Sequence, residues 1–236
     1  DVRTAHQVRP DVLLLGFGFV ALWLFRGLGT LRGDLRAGLL VGLATAVKFT
    51  GLLLVPFYLA ARLLAPGPRL KGLVAAGLVT IGVVLASTPY ALLHLDDYRK
   101  GPGNQLDMYY KGRQAPAYVE QLAFYAEHGA RTVGALGLAL LAAGCLLALR
   151  REPRAWGPAL LHPLAVLVVM SSASLAFPRL ILPGMAVVWL LAAWPVELLA
   201  RRSRALAVLL ALAAAVSPAR ATLRYLNTIS APSPQD

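Results

Sequence analysis

Apolar residues run through this chain in long unbroken stretches, and polar residues collect in short clusters between them. The stretches are Val12–Leu28, Leu73–Leu93, Thr132–Leu149, Leu160–Phe177, Leu180–Ala200 and the shorter Ala205–Val216. A helix needs about 20 apolar residues to cross a hydrocarbon core of about 30 Å. Only helices and closed barrels cross with every backbone polar group satisfied. The period-two alternation of a barrel strand is absent. The pattern predicts an all-α fold, a polytopic transmembrane helical bundle. Composition agrees, with 58% hydrophobic and 14% charged residues, where a soluble domain has about a quarter charged.

The run from Ala37 to Ala61 is less simple, because Lys48 interrupts it. A charge at bilayer depth costs at least a few kcal/mol, so such a residue is a functional candidate by default. One straight helix over this run would be about 37 Å long, ample for a single crossing. The basic clusters argue otherwise. Arg26, Arg32 and Arg36 form one group, Arg62, Arg69 and Lys71 a second, Arg150, Arg151 and Arg154 a third, and Arg201, Arg202 and Arg204 a fourth. Lys and Arg concentrate in cytoplasmic loops. The first two groups share that face only if the chain crosses an even number of times between Arg36 and Arg62. Length favours one span and charge parity favours a hairpin of two short helices meeting near Lys48; the hairpin is the expectation. The outer face then holds residues 1–11, Lys48, the segment from His94 to Arg131, Arg179 and the tail after Ser217, together with most of the acidic residues. Any chemistry is expected there.

A formal net charge of +12 would suggest nucleic acid in a soluble protein. Here the arginines cap apolar runs as topology signals, and no nucleic-acid partner is expected. The single cysteine, Cys145, lies inside an apolar run and offers neither disulfide nor metal cluster. The chain opens at Asp1 just ahead of a span, without an initiator Met or a signal-peptide pattern, and an upstream portion is expected to be missing. The organisation expected is a transmembrane helical domain over 1–216 lacking its first spans, an external loop over 94–131 within it, and a polar tail over 217–236.

The external loop is the one long polar stretch between spans, and Gly101-Pro102-Gly103 marks a turn in it. Tyr118, Leu122 and Tyr125 recur at helical spacing and predict a short interfacial helix with tyrosines at headgroup depth. An ordinary connecting loop with an aromatic belt would look the same. His94, Asp96 and Asp97 offer the hard oxygen ligands of a divalent cation, the only cofactor the residues suggest, although neighbouring acids are common in solvated loops. His6, Arg9 and Asp11 sit at the mouth of the first span, where Pro10 and Asp11 also suit a helix start. Arg179 stands between Pro178 and Pro183 and could hold a phosphate by a bidentate pair or simply snorkel. Gly38 and Gly42 have the spacing of a close helix contact.

Several of these pieces together resemble the GT-C membrane glycosyltransferases that use a polyprenyl-phosphate sugar donor, the superfamily of the protein O-mannosyltransferases and aminoarabinose transferases. The resemblance is carried by His6-x-x-Arg9-Pro10-Asp11 opening a span, by the Gly-rich stretch from Gly38 to Lys48-Phe-Thr-Gly51, and by Pro178-Arg179-Leu-Ile-Leu-Pro183, like that family's Arg-Tyr-x-x-Pro element. Thr88-Pro89-Tyr90 followed by Asp96-Asp97-Tyr98 is similar to the lead into its external loop. The resemblance implies a hexosyl- or pentosyl-type transferase in a prokaryotic inner membrane, active on its outer face. Lys48, Arg179 and Arg9 would bind the donor phosphate, and Asp11 would be a supporting acid. The partners implied are the bilayer, a polyprenyl-phosphate-linked sugar, and an acceptor protein, lipid or glycan. Two departures stand out. Nothing here occupies the place of the family's catalytic acid in the first external loop, so that base is expected upstream of Asp1, and Leu180 stands where Tyr is usual. A transporter or lipid flippase without bond chemistry is the alternative.

Overall fold

The computed structural model describes residues 10–89, 93, 94, 96, 100, 115–172 and 183–230. Among them every regular element is helical: α1 (Pro10–Leu24), α2 (Leu31–Val47), α3 (Val55–Leu64), α4 (Arg69–Ser87), α5 (Ala115–Arg151), α6 (Pro153–Ser171), α7 (Met185–Ala200) and α8 (Arg204–Ser230), with 3-10 turns at Phe25–Gly27 and Phe49–Leu54. Helices over Pro10–Gly27, Arg69–Ser87, Tyr118–Arg151 and Pro153–Ser171 are long and apolar enough to cross a membrane. The chain is a multi-pass integral membrane protein, all-α as its hydrophobic pattern predicts.

It divides into two compact units. One comprises residues 1–122 and 152–187, the other residues 123–151 and 188–236.

The first unit is organised by a reversal of the chain. Thr30 caps α2, its hydroxyl accepting from the Gly33 amide at 3.1 Å. The helix ends at Val47, and Lys48 is extended, with φ −160° and ψ 136°. Gly51 then folds back so tightly that a Cβ there would collide with the Ala44 backbone. The 3-10 turn leads into α3, whose first turn carries Pro56, where a missing N–H is harmless. By Arg62 the chain has returned to the start of α2, and the Arg62 Nε lies 2.9 Å from the Asp34 Oδ1 with both side chains 1% exposed. The chain around Lys48 therefore reverses, the arrangement that charge parity favours, and is not one straight helix.

The closing contact is a built cluster. The Nε–H of Arg62 faces Asp34 at ion-pair distance without hydrogen-bond geometry. Its terminal nitrogens donate to the Pro66 carbonyl at 3.2 Å and the Pro68 carbonyl at 2.8 Å. Tyr58 donates to the Gly72 carbonyl at 3.3 Å and sits 3.5 Å from Asp34. Gly72 of α4 presses on the pair so closely that a Cβ would strike both Asp34 and Arg62. Phe25 packs edge-on against Phe57 and Tyr58, with centroids 4.7 and 5.6 Å away.

The glycine spacing on α2 also does what it suggests. Gly38 lies against the Ala76 backbone of α4, Gly42 lies against Val83, and Thr80 donates to the Gly38 carbonyl at 3.0 Å. Close approach of this kind drives helix association where lipid removes the hydrophobic incentive.

In the second unit, α5 kinks at Gly134, where φ is 75° and ψ 166°, a conformation that side chains rarely adopt. Ser217 of α8 sits in the kink and donates to the Arg131 carbonyl at 3.1 Å. The kink falls close to the expected boundary between the external segment and the span from Thr132. Helix α8 continues past Val216 to Ser230 with Pro218 inside it, so the stretch expected as a polar tail is helical to that point.

In a background lacking Cys145, single cysteines at positions 36 and 66 should label from the same side of the membrane and a cysteine at 48 from the other. Labelling of 36 and 66 from opposite sides would restore a single crossing. Removing one partner of a buried ion pair costs about 3–5 kcal/mol, whereas replacing both with apolar groups is often neutral. Asp34→Leu and Arg62→Met should each destabilise by about that much and the double variant by less than their sum, as read by unfolding in detergent.

Candidate functional site

Asp11 occupies the first turn of α1 and Lys48 the hairpin tip, far apart in sequence. The structure brings them together, with Lys48 Nζ donating to Asp11 Oδ1 at 2.5 Å. Asp11 is nearly closed off, its side chain 7% exposed, while Lys48 keeps 27%. Both features arise locally. The first turn of a helix favours a carboxylate, and the extended break at Lys48 releases its side chain from the α2 helix. The pair answers the burial of Asp11, since an unpaired carboxylate there would be costly. An ammonium has three N–H donors; with one given to Asp11, the exposed side of Lys48 can take a second anion. Thr45, one turn earlier, donates back to the Val41 carbonyl at 2.7 Å, and the Thr50 hydroxyl is buried with no hydrogen-bond partner.

Of the other residues expected at this face, Arg9, Arg179 and Asp97 lie outside the described residues. His94 and Asp96 are exposed, and among the described residues no three His, Cys, Asp or Glu side chains gather as a metal site. Tyr118 and Leu122 are half-buried on α5. Tyr125, expected at headgroup depth, is only 2% exposed and packs edge-on against Phe124, which stacks on His128. Helical spacing identifies a stripe but not whether protein or lipid covers it.

Sequence reasoning passed over His162. It lies inside the span α6, 2% exposed, with Nδ1 3.0 Å from the Leu53 carbonyl and Nε2 3.0 Å from the Pro183 carbonyl. A neutral imidazole donates through one nitrogen only, and an imidazolium through both. The ring ties the turn after Lys48 to the segment leading into α7. Its signal was available, since a polar side chain within a membrane span marks a site by default.

Scans against protein-family models and searches of curated proteins and solved structures return no match to this chain. The geometry stands by itself.

His162→Phe should leave both carbonyls without the imidazole and lower stability by about 1–3 kcal/mol for an unsatisfied buried group. Unfolding of the purified variant checks this, and an unchanged stability would show that the ring bridges nothing of consequence.

Proposed function

We propose that this protein is a membrane glycosyltransferase that moves a sugar from a polyprenyl phosphate to an acceptor hydroxyl on the outer face of the membrane. The observation that carries the reading is the Lys48–Asp11 pair at the tip of the hairpin. In such a transfer the acceptor oxygen attacks the anomeric carbon, the bond from that carbon to the phosphate oxygen breaks, and the polyprenyl phosphate leaves with the electron pair. The acceptor proton goes to a general base. Charge develops on the departing phosphate, and a pre-positioned cation stabilises it most effectively where water is excluded.

Lys48 suits that task. Asp11 holds its ammonium in place and compensates its charge while no donor is bound, and the exposed side of the ammonium meets the phosphate. Asp11 is a positioning residue in this scheme rather than the base, because its carboxylate is already engaged. The motif order around Arg9, Lys48 and Arg179 supports the same assignment, with the arginines as further phosphate ligands. The positive-inside rule supports placing this face outside the membrane, since Arg26, Arg62 and Arg154 belong to the other end of the first unit, and the resemblance implies a prokaryotic inner membrane.

A transporter is the competing class. Its substrate sites form where helices break near the midplane. Here the chain reverses at the break, and the reversal favours a surface site over a midplane one.

In proteoliposomes supplied with polyprenyl-phosphate sugars and acceptor hydroxyls, sugar transfer is expected. Lys48→Met should lower kcat by about 10²–10³, the usual loss on removing one transition-state donor, and Asp11→Asn by less. Translocation of the lipid without transfer would replace this reading by the flippase.

A further inference from the structure

The first unit carries a second charged feature at the end of α1 opposite Asp11. Two crevices open there and share Arg26. The larger, about 450 Å³, is lined by Trp23, Leu24, Arg26, Gly27, Gly33 and Arg36. The smaller, about 230 Å³, has apolar walls that include Phe25, Phe57 and Leu64, with Arg26 and Arg154 on its lining. The balancing acid is Glu152, 3.5 Å from Arg26 with both side chains about half exposed. Among the described residues Arg36 and Arg154 have no ion-pair partner. Asp34 does not neutralise them, because it is spent on Arg62. Arg26 lies over the Trp156 ring at 5.6 Å, which holds its guanidinium near the mouth of both crevices.

Depth decides the kind of ligand. Trp23 is 73% exposed at the end of a membrane span, and tryptophans in that position sit at headgroup level. The arginines beside it therefore face the lipid headgroups and not bulk water. Guanidinium groups bind phosphate oxygens in bidentate pairs, and basic recesses between helices on the cytoplasmic side suit anionic headgroups.

We propose that the crevice between Arg26 and Arg36 is a binding site for an anionic glycerophospholipid. The phosphodiester lies between the two guanidinium groups and one acyl chain lies along Trp23 and Leu24. The site is separate from Lys48 and does not rest on the transfer reading.

Native mass spectrometry of the protein released from bilayers of equal phosphatidylglycerol and phosphatidylcholine tests it. The unmodified protein should retain phosphatidylglycerol selectively. Each arginine at an anionic surface contributes about fivefold, so R26A/R36A should lose roughly 30-fold in that preference. R201A/R202A, in the other unit, should keep it. Arg36→Gln alone, on an exposed residue without an ion-pair partner, should lose about fivefold and keeps the test decisive if the double variant fails to fold. Equal retention of the two lipids, undiminished retention in the Arg36→Gln variant, or displacement of the lipid by millimolar inorganic phosphate would overturn the proposal.

Discussion

The buried pair of Asp34 and Arg62 is the contact on which the first unit depends. Two charges at 1% exposure are tolerable in a low-dielectric interior only when each is matched and further hydrogen bonds take up the remaining donors. Arg62 meets most of that condition, with Asp34 matching its charge and the carbonyls of Pro66 and Pro68 accepting from its terminal nitrogens, while its Nε–H faces Asp34 without a hydrogen bond. Because these partners come from the start of α2 and the turn after α3, the cluster is satisfied only when the hairpin is closed. An open hairpin would leave a guanidinium and a carboxylate unpaired in an apolar setting. The pair thus acts less as a source of stability than as a selector of one topology, and Gly72 sets how closely α4 may approach it.

Closure at one end determines what the other end presents. With α2 running from Leu31 to Val47, a rise of 1.5 Å per residue puts Lys48 about 21 Å from Asp34. Helix α1 spans a similar length from Asp11 to the arginine crevices, so the hairpin tip meets the first turn of α1. The two ion pairs are therefore the two ends of one arrangement. His162 adds a tie between them and the segment entering α7, through the Leu53 and Pro183 carbonyls.

The sequence made the hairpin legible because topology is read from counts of charge, and four basic groups had to be reconciled on one face. It did not make the closing pair legible. Arg62 was one more positive charge in that count, and counting does not distinguish an arginine that snorkels from one buried against a partner. Asp34, between Arg32 and Arg36, reads as part of a solvated cluster until α4 is seen to cover it. Lys48 was visible because it interrupts apolar residues, and Asp11 because it opens a span. Their contact was expected only as a shared face, since the spacing of residues along two different helices carries no distance. Tyr125 shows the converse limit, a stripe read correctly as helical whose burial depends on neighbours that spacing cannot name.

The difference between the two ion pairs also says which charges can act. The guanidinium of Arg62 is surrounded by Asp34 and carbonyl acceptors, with no exposed surface to offer a ligand; a phosphate there would have to break the hairpin open. The ammonium of Lys48 has one acidic partner and keeps more than a quarter of its side-chain surface exposed. A ligand can add to it without dismantling the fold. The same reasoning applies to the arginines at the opposite end, where Arg26 and its partner Glu152 are both about half exposed and Arg36 has no ion-pair partner among the described residues. Charge alone marks none of these residues as functional. What separates them is how much of each cation stays accessible once the chain is folded, and by that measure Lys48 and the Arg26–Arg36 pair remain open while Arg62 is closed.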